Sequence, residues 1–262
     1  MARSLTEILI ERGYENAAAL ILAGRVLVDG IRETRGGIPV RADARLEVLP
    51  GREYASRGAH KLLGAFSDFS DFSEPDVNVP ALEMNDRICL DLGASHGGFT
   101  QVLLERGAAR VYAIDVAYGI LAYPLRRDPR VIALEKHNAR ELAPEWLHAD
   151  DLRAAGADAR GLFVTGDLSF ISIRRILDGL LVFRNAARLP VAVLLLIKPQ
   201  FEQPAATTKG VLKDAQLRET IVADVARYAL DLGFQDTATR ASRLPGAKGN
   251  VEYFLYGRLP SA

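Results

Sequence analysis

From Arg87 onward the sequence alternates between short runs rich in Val, Ile and Leu and longer segments with helical spacing. Strands are predicted over residues 87–93, 110–116, 130–135, 161–167, 191–198, 234–241 and 251–258. Helices are predicted over residues 98–106, 118–127, 144–154, 172–186 and 214–232. Apolar strands joined by crossover helices imply a mostly parallel sheet covered on both faces. A chain of 262 residues holds one such α/β core and a small extra domain. Ligands of these sheets bind beyond the carboxyl ends of the strands. Gly93, Asp115, Asn138, Asp167 and Lys198 stand at those ends.

The first predicted strand runs into a glycine-rich turn, Asp91-Leu92-Gly93-Ala94-Ser95-His96-Gly97-Gly98-Phe99-Thr100, and then into a helix. Strand, glycine loop and helix in that order let the backbone approach a ligand and present helix N-terminal amides to it. Gly93, Gly97 and Gly98 supply positive φ or room for a cofactor. A tight turn in any α/β domain reads the same way. Asp115 follows about 20 positions later, where a ribose is held through its hydroxyls. Asn138 reads either as a contact to an adenine edge or as an ordinary turn residue.

Two further strand ends carry chemistry. Asp167 precedes Leu-Ser-Phe-Ile-Ser, in which Ser169 or Ser172 caps the next helix. Lys198 follows the apolar run Leu195-Leu196-Ile197. Burial there works against an ammonium charge, as a general base requires; a lysine snorkelling to solvent is the alternative. Lys61 after the Ser-Arg-Gly turn and Glu252 in Gly249-Asn250-Val251-Glu252-Tyr253 complete the candidates. Glu252 also suits an outward-facing strand position. His60, His137, His148 and Cys89 lack metal-ligand spacing, so no metal site is expected.

Residues 1–50 have a different texture: Leu5, Ile8, Leu9 and Arg12 at helical spacing, a second apolar stretch from Ala17 to Leu22, a short strand from Arg25 ending in an Asp29-Gly30 turn, and an alternating strand from Leu46 to Pro50. A basic linker, 51–61, leads to a helix near His60. Residues 66–80 repeat Phe-Ser-Asp, carry Pro75 and Pro80, and read as an acidic connector. The formal net charge of zero excludes a globally basic nucleic-acid binder while leaving local patches open. One cysteine, no secretory pattern and no apolar run of about 20 residues point to a soluble, cytoplasmic protein without a membrane partner. Nothing specifies an oligomeric state.

Six segments in order, Ser56 to Leu62, Leu90 to Thr100, Val111 to Val116, Asp167 to Ser172, Ile197 to Glu202 and Pro245 to Phe254, resemble the TlyA family. Its members carry a hemolysin label and are ribosomal RNA 2′-O-methyltransferases with an FtsJ-like catalytic domain. The resemblance implies a Rossmann-like methyltransferase fold of seven strands over 62–262, preceded by an S4-type RNA-binding domain. It implies S-adenosylmethionine held by Asp91, Gly93, Ala94, Ser95, Gly97, Gly98, Phe99, Asp115, Asn138 and Asp167. It maps a catalytic Lys-Asp-Lys-Glu tetrad onto Lys61, Asp167, Lys198 and Glu252, and implies ribosomal RNA or ribosomal subunits as partner.

The chain departs from that pattern in three places. Only six residues, Tyr14 to Ala19, separate Glu11-Arg12-Gly13 from Leu20-Ile21-Leu22-Ala23-Gly24. This is about one helical turn fewer than the family pattern, and it removes basic residues. The connector is long, and His96 stands where threonine is usual. RNA contacts are expected from Arg3 and Arg25 in the small domain and from Arg52, Arg57, Arg243 and Lys248 nearer the cofactor face, with Arg126, Arg127 and Arg240 beside them. A membrane-active hemolysin and a ribosome-binding module without catalysis are the alternatives.

Overall fold

In a computed structural model the chain forms two compact units, Met1–Arg57 and Gly58–Ala262. Residues 3–14, 17–22, 24–41, 43–49, 54–70 and 82–262 are described. Arg52 and positions 71–80 of the expected connector lie outside them.

The first unit is a small α+β fold. Strand β1 (Arg3–Ser4) leads into α1 (Leu5–Glu11), then α2 (Ala17–Leu22), β2 (Val26–Val28), β3 (Ile31–Glu33), β4 (Pro39–Val40) and β5 (Leu46–Val48). Ser4 and Glu7 close a capping box at the start of α1. Asp29 and Gly30, both at positive φ, turn β2 into β3 as a two-residue hairpin. Leu5, Leu9, Leu20, Ile21 and Val26 make the core, which is small for independent stability.

The second unit carries the chemistry. It begins with α3 (Gly58–Ser70), followed by β6 (Ile88–Leu92), α4 (Gly98–Glu105), β7 (Arg110–Asp115), α5 (Tyr123–Arg126), β8 (Val131–Glu135), α6 (Ala149–Ala157) and β9 (Leu162–Gly166). Then come α7 (Ile173–Ala187), β10 (Val191–Ile197), α8 (Pro199–Glu202), α9 (Ala215–Asp231), β11 (Gln235–Ala241) and β12 (Tyr253–Leu259). The seven strands lie in the order β11-β12-β10-β9-β6-β7-β8. All are parallel except β12, which runs antiparallel to both neighbours.

Both faces of the sheet are covered. On β9, Leu162 and Val164 join the core that includes α7 and α9, while Phe163 points the other way and stacks on Phe66 of α3. All seven residues of β10 are buried. Burying each such aliphatic side chain contributes roughly 1.5–3 kcal/mol. The chain builds outward from β6 to β7 and β8, then returns to β9 on the other side of β6. The loops after β6 and β9 therefore diverge, opening a crevice at this switch point.

Three predicted elements differ. The helix expected over 118–127 shrinks to α5, because Gly119 takes φ +76° and Pro124 can only begin a helix. The helix expected over 144–154 is a 3₁₀ turn at Pro144–Trp146 and a separate α6, broken where Leu147 and His148 are extended. The first Phe-Ser-Asp repeat of the expected connector belongs to α3, with Phe66 and Phe69 buried against the sheet.

Candidate active site

Four of the sequence candidates meet beyond the carboxyl ends of β9 and β10. Lys61 projects from the first turn of α3, which the burial of Ala59, Leu62, Ala65 and Phe66 seats on the sheet. Its Nζ donates to Glu252 Oε2 at 2.8 Å and to Asp167 Oδ2 at 3.2 Å. Lys198 Nζ lies 2.6 Å from Asp167 Oδ1 and donates to Ser169 Oγ at 2.8 Å. The result is an alternating chain, Glu252–Lys61–Asp167–Lys198–Ser169. Glu252 is 2% exposed and Lys198 7%, so neither is the surface residue that the alternative readings allowed.

Charge in this chain is balanced by contact. Burial alone would raise the Asp167 pKa, but the ammonium groups of Lys198 and Lys61 reverse that and hold it below the ordinary carboxylate range. Burial likewise works against the Lys61 charge, and Asp167 with Glu252 more than offset it, so its pKa lies above that of an ordinary lysine. Lys61 is therefore a fixed cation at neutral pH. The desolvation expected at Lys198 is met by a carboxylate in contact.

Glu252 is held by close packing. Gly246 lies under it so tightly that a Cβ there would come 1.9 Å from Oε1. Only glycine fits below that carboxylate.

The glycine loop is braced by internal hydrogen bonds. The amides of Gly93 and Ala94 donate to the Ile114 carbonyl, that of Ser95 to Asp115 Oδ2, and that of Gly97 to the Ala94 carbonyl. These four donors are taken inside the protein and are not presented to a ligand. Gly97, at φ +95°, is required by packing, since a Cβ there would meet Leu125 at 2.3 Å. Gly98 opens α4. Phe99 is buried and stacks on Phe254, which makes its ring core rather than cofactor wall.

Two carboxyl groups flank the loop. Asp91 is fully buried; Oδ2 accepts from Thr100 Oγ1 at 2.6 Å, and Oδ1 has no partner. Burial pushes its pKa up to about 7. Asp115 bridges the loops after β6 and β7, accepting from the amides of Ser95 and Ala117, both at 2.8 Å.

Beside them is a cleft of about 240 Å³ lined by Gly93, Asp115, Asn138, Ser169, Phe170 and Ile176, among others. Asn138 Oδ1 accepts from the Arg140 amide and caps that turn, as the turn reading has it, and the residue also lines the cleft. Phe170 is 90% exposed at φ +65°, beside Phe201 at a centroid distance of 5.2 Å.

The residues expected to touch RNA make several different contacts. Arg3 pairs with Glu11, and Arg25 donates twice to the Leu49 carbonyl, which fastens it inside the small unit. Arg57 is exposed. Arg243 is clamped on Asp68, Arg126 pairs with Glu135, and Arg127 donates to the Tyr123 hydroxyl. Lys248 is exposed and donates to the Lys209 carbonyl.

Ser169, Thr100 and Gly246 do not stand out in the sequence for these roles. Glu202 is a fourth: its carboxylate accepts from Ser172 Oγ at 2.6 Å and the Ile173 amide at 2.7 Å, tying the segment after Lys198 to the loop after Asp167.

Known proteins share this architecture. The family model for the FtsJ-like methyltransferase matches residues 54–259. The chain is 44% identical over 253 residues, 95% of its length and 85% of the relative's, to the 16S/23S rRNA (cytidine-2′-O)-methyltransferase TlyA of Mycobacterium tuberculosis. It is 34% identical to Hemolysin A of Brachyspira hyodysenteriae, over 96% of this chain and 98% of that one. A solved Streptococcus thermophilus structure carrying a hemolysin label superposes with a TM-score of 0.68 at 28% identity, covering 99% of this chain and 90% of that one. The chain belongs to the FtsJ-like methyltransferases, in the TlyA family.

Proposed function

We propose that this methyltransferase uses S-adenosylmethionine to methylate the 2′-hydroxyl of a ribose in ribosomal RNA, acting in the cytoplasm on ribosomal subunits. The single observation that carries the reading is the Glu252–Lys61–Asp167–Lys198 chain, joined through Ser169 to the cleft that Asp115 and Asn138 line. The substrate class is drawn from the M. tuberculosis relative, which is named as an rRNA cytidine-2′-O-methyltransferase.

The residues present fit that cofactor. S-adenosylmethionine supplies an electrophilic methyl on a sulfonium and carries an ammonium. Asp91, Asp115 and Asp167 gather at adjacent strand ends, and one buried oxygen of Asp91 lacks a partner. Carboxylates so placed suit a cation. Asp115 and Asn138 would hold the ribose and adenine.

Lys198 Nζ directs two bonds, one to Asp167 and one to Ser169. A neutral amine donating both N–H groups keeps its lone pair at the remaining tetrahedral position; an ammonium keeps a third N–H there. Either form lines up a ribose hydroxyl. Bound S-adenosylmethionine would supply the methyl group and leave as its thioether, and Lys198 would take the proton the ribose hydroxyl loses, or pass it to water. Asp167 fixes Lys198, while Lys61 and Glu252 hold Asp167. Alignment of this kind supplies up to roughly 7–11 kcal/mol of barrier lowering. Phe170, exposed beside Lys198 and the cleft, is suited to stacking on an unstacked base.

Residues 1–50 are read as an S4-type RNA-binding module, 51–61 as its linker and 62–262 as the catalytic domain. Among the described residues no helix is long and apolar enough to cross a membrane, so a spanning hemolysin helix has no candidate there. The test is transfer of labelled methyl to ribosomal RNA, with the product digested to nucleosides. The label should appear as 2′-O-methylnucleoside. Label on a base, or none in RNA, would overturn the reading.

A further inference from the structure

Glu252 sits at the end of a turn, Gly246–Asn250, that has a second attachment. Asn250 is 4% exposed and uses its whole side-chain amide. Oδ1 accepts from the Leu212 amide at 3.1 Å, and Nδ2 donates to the carbonyls of Gly210 at 2.9 Å and Ala247 at 3.0 Å. Its backbone carbonyl accepts from Gly246 at 2.8 Å. The segment 208–212, folded on itself by paired bonds between Thr208 and Val211, is thereby fastened to the turn that carries Glu252.

Each half of this assembly displays a lysine in the left-handed region, Lys209 at φ +53° and Lys248 at φ +57°. That conformation is unfavourable for a non-glycine residue and persists only where surrounding bonds hold it. Both side chains are exposed, and Lys248 Nζ meets the Lys209 carbonyl at 3.1 Å. Elsewhere the cations are differently placed: Arg3, Arg35 and Arg41 pair with acids of the small unit, and Arg243 pairs with Asp68. Lys248 thus stands a few residues from a catalytic carboxylate, with its Nζ against a carbonyl that Lys209 supplies rather than against an acid. Lys213, also exposed, follows directly.

We propose that Lys209 and Lys248, extended by Lys213, form a phosphate clamp that grips the backbone of a single RNA strand beside the target ribose. The proposal rests on the reading of RNA as substrate. Phosphate contacts fix register and orientation without reading sequence. A clamp braced on the Glu252 turn couples that register to the catalytic chain. None of its lysines belongs to the catalytic chain.

The test uses the full-length protein and ribosomal subunits from cells lacking it. The Lys209→Gln/Lys248→Gln double variant should raise KM for the subunit by roughly three- to tenfold at physiological salt. The slope of log affinity against log salt should become shallower by about 1.4, which is about 0.7 for each phosphate of single-stranded RNA that is no longer neutralised. Binding of S-adenosylhomocysteine should be unchanged. The Lys209→Arg/Lys248→Arg variant, which keeps the charge, should restore both KM and slope. If the wild type methylates RNA and the Gln variant matches it in KM and slope, the clamp is wrong while the functional reading stands. An Arg variant as weak as the Gln variant also overturns the clamp. A wild type that methylates no RNA overturns the functional reading and the clamp with it.

Discussion

Asp167 Oδ1 lies 2.6 Å from Lys198 Nζ, the two residues following neighbouring parallel strands of the sheet. The strand register fixes this pair, so the lysine is aimed by the core of the protein rather than by a loop. Asp167 is also in contact with Lys61, which makes it the one carboxylate of the chain that serves two cations.

Replacing the lysine tests that aim. Lys198→Ala should reduce kcat by about 10²–10⁴-fold, the range for a positioned proton-transfer group. Binding of S-adenosylmethionine, measured by calorimetry, should be nearly unchanged, because Lys198 belongs to the hydroxyl side of the site. Unchanged single-turnover methylation would remove Lys198 from the mechanism.

Asp167→Asn keeps the shape and removes the charge. Two lysines would then face each other without their shared anion, in a site where the Lys198 side chain is 9% exposed. Breaking a buried pair costs about 3–5 kcal/mol. With the Asp167 side chain 23% exposed, about 2 kcal/mol of lost stability is expected in denaturant titrations at pH 7, together with loss of activity. An equally stable and active variant would contradict the assignment.

Gly246→Ala separates positioning from direct participation. The added Cβ must displace the Glu252 carboxylate, with which it would overlap at 1.9 Å, and so loosen Lys61. A displacement of about 1 Å at a reacting group costs roughly 100-fold in rate. The fall should appear in kcat, with cofactor affinity almost unmoved and the thermal transition lowered by the loosened Lys61–Glu252 pair. A normal kcat would show that Glu252 need not be held.

The buried carboxyl of Asp91 links cofactor binding to pH. Burial raises its pKa in the folded protein to about 7, against about 4 in an unfolded chain. Between these values the folded state holds a proton that the unfolded state does not, so this group's contribution to stability falls as pH rises from 4 to 7 and is flat above. A cationic ligand beside Oδ1 favours the ionised form. Affinity for S-adenosylhomocysteine, which keeps the ammonium, should therefore tighten as pH rises from 6 to 8, with proton release on binding near pH 7. Asp91→Asn should flatten both. A wild type whose affinity does not change with pH would contradict the role.

Much of this site is legible in the sequence because chemistry sits at strand ends. Asp167 and Lys198 each follow an apolar run, and the sheet places such residues side by side. Lys61 and Glu252 can be picked out as candidates, but their place in the same site is legible only through the family resemblance, since their meeting depends on how α3 and β12 pack. The glycine loop is recognisable as a loop, but not as one whose amides are taken internally. That outcome depends on Ile114 and Asp115 of the adjacent strand.

Gly246 reads as part of a Pro-Gly turn, and nothing local announces the carboxylate above it. Thr100 lies one turn into α4 and looks like an ordinary helix residue until Asp91 is seen beneath it. The shortened α5 is signalled by Gly119 and Pro124, whose backbone preferences outweigh the apolar spacing around them.

A Lys198-centred chain that methylates ribose must leave its mark on ribosomal RNA in the cell. Ribose methylation should be mapped across ribosomal RNA from cells that lack the protein, carry it, or carry only Lys198→Ala. At least one 2′-O-methyl position should be present with the wild type and absent in the other two. No difference at any 2′-hydroxyl, or full methylation with Lys198→Ala, would contradict the proposed reaction.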